Sequence, residues 1–87
     1  MFKVHLSEFA KEDIRDAAQW YNTKEKGLGK RFTKSVRDKV KFIKNNPNAS
    51  SIRYKNVRTA ICDRFPYMIH YLVDDSIKRI VINVNNG

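Results

Sequence analysis

The chain has 87 residues, of which 41% are hydrophobic and 11% aromatic. That is enough for one folded core and too few for two domains. Lys and Arg total 18 against nine Asp and Glu, which gives a formal net charge of +9. Such an excess accelerates association with polyanions and acidic proteins. The composition therefore predicts a single basic domain over residues 1–87 that binds other macromolecules.

The sequence contains few signals for a metal, phosphate or cofactor site. The two histidines have no Cys or His at metal-ligand spacing, so no metal site is expected. The Gly27–Lys30 segment lacks the spacing of a phosphate-binding loop, and no other cofactor motif is present. The single Cys62 fits a reducing cytoplasm. No apolar run approaches the ~18 residues of a membrane span, so we expect a soluble, cytoplasmic protein without cofactors.

The first half of the chain predicts a strand followed by two helices. Residues 2–6 alternate as in a half-buried strand, and Ser7 follows as a helix N-cap. Apolar residues at helical spacing then predict one helix to about Asn22 and a second from about Gly29 to Asn45. The short link between them predicts an antiparallel helical hairpin.

The second half of the chain reads as strands. Short strands are predicted over residues 52–54 and 57–62, and the strongest strand pattern covers residues 67–73. A last strand is predicted over residues 77–84 after a turn at Asp74–Ser76. The expected fold is α+β: an N-terminal strand, the helical hairpin and a three-stranded antiparallel β-meander, with the helices on one face of the sheet.

Positive charge is concentrated in the second helix. At helical spacing, five cations form a near-continuous line that we call the basic ridge: Lys30, Lys34, Arg37, Lys41 and Lys44. Its functional interpretation is an electrostatic footprint for nucleic acid or an acidic partner; the alternative is an ordinary solvated face. Further cations beside Tyr54 and Tyr67 on the strands could hold phosphates. The residues predicted to bind the target or nucleic acid are Lys30, Lys34, Arg37, Lys41, Arg53, Lys55, Arg58 and Arg64.

The order of these signals resembles the RelE/ParE toxins of bacterial type II toxin–antitoxin (plasmid stabilisation) modules. The resemblance is carried along nearly the whole chain by Trp20-Tyr21, Gly27-Leu28-Gly29, Asn46-Pro47, Val57-Arg58 and Arg64-Phe65-Pro66-Tyr67 with Ile69 and Tyr71. It implies the strand–helix–helix–strands fold and one of two activities. One branch poisons DNA gyrase by binding it, and the other cuts mRNA on the ribosome with cationic residues on the sheet.

The residues that the ribonuclease branch uses are poorly matched here. The position after the strand Tyr holds Met68, and the preceding strand offers Thr59 and Ile61 in place of Lys. Relatives show His near Asn86, whose amide cannot act as a general base. If the protein were a nuclease, the candidate catalytic residues would be Arg58, Arg64, Tyr71 and Asn86. The gyrase-directed, ParE-like activity is therefore preferred, with the ribosome-dependent nuclease as the alternative.

The resemblance also implies partners. An acidic antitoxin is expected to neutralise the toxin, with Trp20, Tyr21 and Phe32 as its docking residues, and operator DNA is expected to be bound through the antitoxin complex. A further alternative is a non-toxic basic nucleic-acid-binding module. Because the sequence stops soon after the last predicted strand, a shortened or inactive form is also left open.

Overall fold

The computed structural model describes residues 1–83 and contains two helices and five strands. The elements in chain order are β1 (Lys3–Leu6), α1 (Glu8–Lys24), α2 (Leu28–Asn45), β2 (Ile52–Tyr54), β3 (Val57–Ile61), β4 (Met68–Asp74) and β5 (Arg79–Ile82).

The strands form one mixed sheet in the order β1-β5-β4-β3-β2. The last four strands run as an antiparallel meander, whereas β1 pairs in parallel with β5, with Val4 opposite Ile80. The α+β class and the helical hairpin are confirmed. The meander has four strands where three were predicted, because Ile52–Tyr54 pairs with β3 as a separate edge strand.

The helices and one face of the sheet enclose the core. Alternate residues of β4 and β5 are buried: Ile69, Tyr71, Ile80 and Ile82. They join Phe32, Val36 and Ile43 from α2 and Ala10 from α1. The opposite face of the sheet is open, and Leu72 is 43% exposed there. β4 and β5 lie inside the sheet, as the apolar residues on both their faces predicted.

The start of each helix follows from local chemistry. The Ser7 hydroxyl accepts a hydrogen bond from the Ala10 amide at 3.0 Å, which satisfies one free N–H of the first turn of α1. Gly27 precedes α2 with φ of 85°, a left-handed conformation that glycine adopts without steric cost.

The two helices approach most closely at Gly29. A Cβ at this position would lie 2.3 Å from the Ala18 carbonyl oxygen and 2.8 Å from the Asn22 side chain. The Asn22 side chain accepts a hydrogen bond from the Gly29 amide at 2.8 Å. The chain thus reverses direction at the Gly27-Leu28-Gly29 segment, and the absence of a side chain at Gly29 allows the backbones of α1 and α2 to come into contact.

Candidate binding surfaces

Helix α2 carries most of the net charge of the molecule. It contains seven Lys and Arg against one acid, Asp38, a net +6 out of +9 for the chain. Helix α1 has three cations and four acids, a net −1. The positive charge is therefore a property of one helix surface and is not spread evenly over the fold.

The ion pairs divide the cations of α2 into two groups. Arg31 pairs with Glu25, Lys34 with Asp38 at 2.9 Å, and Lys39 with Asp63 at 3.7 Å. Within residues 1–83, no carboxylate lies within 4.0 Å of the other four members of the basic ridge, which are exposed: Lys30, Arg37, Lys41 and Lys44. Most of the ridge is thus free to meet an external anion.

An open groove runs beside the ridge, between α2 and the second half of α1. Its volume is about 650 Å³, and its charged lining residues are all cations: Lys30, Arg31, Lys34 and Arg37. Ala18, Asn22 and Gly29 form its floor together with Thr33. The groove extends the positive surface of the ridge onto the helix–helix contact.

A second groove lies between the start of α2 and the β3–β4 turn. It has a volume of about 610 Å³, and its lining combines the apolar side chains of Tyr21, Leu28 and Phe65 with three cations and two acids, which are Arg31, Lys34, Arg64, Asp38 and Asp63. Arg64 is exposed and has a left-handed backbone, with φ of 69°. Sequence analysis predicted Arg64 as a binding residue, but it did not connect Leu28 and Phe65 to the same surface, because they meet through the tertiary fold alone.

Arg58 has a structural role. Its register partner Tyr71 is buried, so Arg58 lies on the helix-facing side of the sheet. Its guanidinium donates hydrogen bonds to the carbonyl oxygens of Ser50 and, at 3.5 Å, of Asn48. These contacts hold the α2–β2 loop and engage this guanidinium with the protein itself.

Tyr71 cannot serve as a catalytic residue in this conformation. It is 1% exposed, and its hydroxyl is buried without a hydrogen-bond partner among the described residues. The alternation that predicted a buried face on this strand placed it correctly in the core, which rules out contact with a polymer substrate. Of the other nuclease candidates, Arg64 is exposed, and Asn86 lies outside the described residues.

The open face of the sheet holds a different set of side chains. Thr59 and His70 are register partners there, and the hydroxyl of Tyr54 lies 3.4 Å from Nδ1 of His70. Arg53 and Lys55 are exposed on β2 and in the β2–β3 turn. The eight cations predicted to bind a target therefore do not form one surface, since four lie on α2, two at the β2 edge, and Arg58 and Arg64 elsewhere.

The three aromatic residues predicted to dock an antitoxin have different environments. Phe32 is fully buried and packs edge-on against Tyr67, with ring centroids 4.9 Å apart, so its assignment as a docking residue is wrong. Tyr21 is half-buried between Phe32 and Phe65. Trp20 is 56% exposed, and the ammonium of Lys24 lies 4.8 Å from its ring centroid. Of the three, Trp20 offers the most apolar area to a partner.

Two buried ionisable groups stabilise the contact between the helices and the sheet. The Tyr67 hydroxyl donates a 2.5 Å hydrogen bond to the Asp13 carboxylate. Burial first, and then this bond, raise the pKa of Tyr67 above its usual range. Burial also raises the pKa of Cys62 from 9.0 to about 11, which keeps the thiol protonated and poorly nucleophilic.

Two features are absent from residues 1–83. No group of three or more His, Cys, Asp or Glu side chains is placed to hold a metal ion. Neither helix in this part of the chain is long and apolar enough to cross a membrane.

The fold has a counterpart among solved structures. A structure described as "Chromosomal ParDE TA system from P. aeruginosa" superposes with a TM-score of 0.70 at 23% sequence identity, over 94% of this chain and 90% of that chain. The helical hairpin packed on one face of a mixed sheet, with the N-terminal strand beside the last strand, is thus a fold that this chain shares with that structure.

The family of the chain is shown by its sequence. The family described as "ParE toxin of type II toxin-antitoxin system, parDE" matches residues 4–87, and the chain therefore belongs to it. The search among curated proteins found no match.

Proposed function

We propose that this chain inhibits bacterial growth by binding DNA gyrase and that a cognate antitoxin neutralises it in the cytoplasm. Membership of the ParE family supports this proposal over ribosome-dependent RNA cleavage. The observation that supports it most is the position of two of the four nuclease candidates. Tyr71 is in the core, and Arg58 is bound to loop carbonyls. A metal-independent ribonuclease needs exposed groups that transfer protons and stabilise phosphorane charge, and these two residues supply neither.

The target is tested by pulse-labelling after induced expression in bacteria, with thymidine and methionine incorporation followed in parallel. We expect DNA synthesis to fall first. Purified chain should then increase the fraction of DNA that gyrase holds cleaved. An earlier fall in methionine incorporation, with cuts inside codons of translated mRNA, would contradict the proposal and direct attention to Tyr54 and His70 on the open sheet face.

The second groove suits the antitoxin as its ligand. Its apolar side chains, with Trp20 close by on α1, match an amphipathic segment that folds on binding. Its three cations outnumber Asp38 and Asp63, whereas Asp13 and Asp16 line the neighbouring groove with Trp20. Tyr21 lines both this groove and the neighbouring one that includes Trp20, so the two form a continuous surface. This proposal retains Trp20 and Tyr21 and replaces the buried Phe32 by Leu28 and Phe65.

Trp20→Ala is the variant that tests this surface. We expect it to remain toxic but to need about 10- to 100-fold more antitoxin for neutralisation, because a buried interface Trp commonly contributes 2 kcal/mol or more, which is about 30-fold. Ile77→Ala, which truncates another side chain that is 56% exposed, is the matched control and should be neutralised normally. Equal behaviour of the two variants would place the antitoxin elsewhere.

A further inference from the structure

The four cations of α2 that have no carboxylate partner within residues 1–83 form a straight line. At about 100° per residue, Lys30, Arg37, Lys41 and Lys44 fall within about 60° of one another around the helix axis. The 14-residue separation of the outer two corresponds to about 21 Å along the axis. All four are exposed, and the neighbouring groove adds Arg31 and Lys34 without an acidic side chain in its lining. The surface is therefore a linear array of positive charge.

The chemistry of this array selects among the possible anions. A disordered acidic peptide that folds on binding needs apolar anchor positions, and the line contains Lys and Arg alone. Single-stranded nucleic acid is held by aromatic stacking, and the exposed Phe42 lies about 120° from Lys30 around the helix. Duplex DNA requires neither, because its affinity for proteins comes largely from phosphate contacts.

The dimensions are also compatible with a duplex. Duplex DNA carries one negative charge per ~1.7 Å of its axis, so ~21 Å of duplex carries about a dozen phosphates around its whole circumference. The four cations are therefore fewer than the phosphates within the length that they span. By contrast, the cations at Arg53 and Lys55 lie on and after the short β2 edge strand, beside the Tyr54 ring.

We infer that the basic ridge of α2 binds the phosphate backbone of duplex DNA directly and without sequence preference. The inference rests on the proposed function, since gyrase acts on duplex DNA and a toxin bound to gyrase would lie beside that substrate. It differs from operator recognition, which requires base contacts in addition to phosphate contacts. In the complex with gyrase, the ridge would give the toxin a second contact, which is with the DNA.

The test is the salt dependence of binding of the full chain to a fluorescent 30-base-pair duplex of arbitrary sequence, measured by anisotropy. Four phosphate contacts predict that affinity falls about 150-fold between 50 and 200 mM NaCl. In the triple variant Lys30→Gln, Arg37→Gln, Lys41→Gln, one contact remains, and the same change of salt should reduce affinity about 3- to 4-fold.

A second triple variant, Lys3→Gln, Arg15→Gln, Arg79→Gln, is the matched control. It removes the same charge from three exposed cations outside α2 and should retain the salt dependence of the unsubstituted chain. An equal loss in the two triple variants would show that net charge alone attracts DNA and would overturn the inference. Tighter binding to polyglutamate or to single-stranded RNA than to the duplex would overturn it as well.

Gyrase cleavage assays separate this inference from the proposed function. If the unsubstituted chain stabilises no gyrase–DNA cleavage complex, the proposed function fails, whatever the anisotropy shows. If that chain does stabilise the complex, but the ridge variant binds duplex DNA as tightly as before, the DNA contact alone is refuted. Weaker stabilisation of the complex by the ridge variant than by the matched control would support both.

Discussion

The thiol of Cys62 lies just after β3, beneath α2 and beside Ser35, and is 3% exposed. The Ser35 hydroxyl donates to the Asp63 carbonyl at 2.8 Å, while Lys39 and Asp63 form an ion pair at the surface. Burial is the main cause of the raised pKa of this thiol, and the nearby Lys39 ammonium partly opposes it. A group with this environment stabilises the fold as long as it keeps its proton.

We therefore expect stability to decline at alkaline pH through Cys62. Its pKa is about 11 in the folded protein against 9.0 normally, so the unfolded chain binds fewer protons above pH 9. The stabilisation is fully present below pH 9 and is lost as the pH rises towards 11. Urea unfolding should show that the chain loses about 1 kcal/mol more than Cys62→Ala between pH 8 and 10.

The alanine variant is also the control, because its lower baseline stability, caused by the removed sulfur, does not depend on pH. The pKa of Tyr67 is raised mainly by burial and by the bond to Asp13, and both of these causes are present in the two proteins. Parallel curves for the two proteins would contradict the assignment of this pH dependence to the thiol.

At the scale of elements, the contact between α1 and α2 depends on the missing side chain of Gly29. Alanine is favoured over glycine by about 1 kcal/mol within a helix, so helix propensity alone predicts that Gly29→Ala is stabilising. The close approach of the Ala18 carbonyl and the Asn22 side chain predicts the opposite, a loss of about 1–3 kcal/mol in urea unfolding. The sign of the change therefore distinguishes the two effects.

Gly27→Ala provides the comparison. A Cβ there would meet no atom within 4 Å, and the cost is the left-handed backbone alone, about 1–2 kcal/mol. Gly29→Ser should cost more than Gly29→Ala, whereas Gly27→Asn should cost little, because Asn tolerates this conformation. A stabilised Gly29→Ala protein would mean that the helices can move apart without penalty.

The elements that sequence analysis predicted well are those with strong local signals. Ser7 caps α1, the apolar stripe of α2 is buried, and the alternation in residues 67–73 separates the core face from the open face of β4. The last strand is shorter than its apolar run, since Arg79 begins it after a turn in which Lys78 is left-handed. A prediction from strand propensity continues the strand through every favourable residue. It does not detect where a turn begins, because the turn depends on specific backbone geometry.

The surface was harder to predict, because sequence shows which residues are charged but not where they meet. The basic ridge could be identified from helical spacing, and its Lys34–Asp38 pair follows from an i,i+4 separation. The helix-facing direction of Arg58 could not be identified from the sequence, since it depends on the pairing register between β3 and β4. Phe32 is fixed in the core by aromatic contacts with Tyr67 and Phe65, which are distant in sequence.

For the molecule as a whole, the concentration of charge on α2 has a cost in stability. Like charges three or four residues apart along the ridge repel one another by about 0.2–0.5 kcal/mol per pair at low salt. The ridge variant Lys30→Gln, Arg37→Gln, Lys41→Gln should therefore unfold at higher urea than the unsubstituted chain, by about 0.5–1.5 kcal/mol. Residues selected for folding alone would not show such a gain.

The same measurement at high salt provides the control. Above about 0.5 M NaCl the repulsion is screened, and the advantage of the ridge variant should disappear. The matched control variant removes one pair of neighbouring cations, Lys3 and Arg79, where the ridge variant removes several, and it should gain less at low salt. A ridge variant that is less stable than the unsubstituted chain would indicate that these side chains contribute to packing.

The parallel pair of β1 and β5 joins residues 3–6 to residues 79–82. During synthesis, the helical hairpin is made early and has local contacts, but the first strand has no partner until almost the entire described chain has been produced. Such distant pairings slow folding. The sheet is therefore completed late, after the helices and the Phe65 turn that line the groove proposed for the antitoxin have been made.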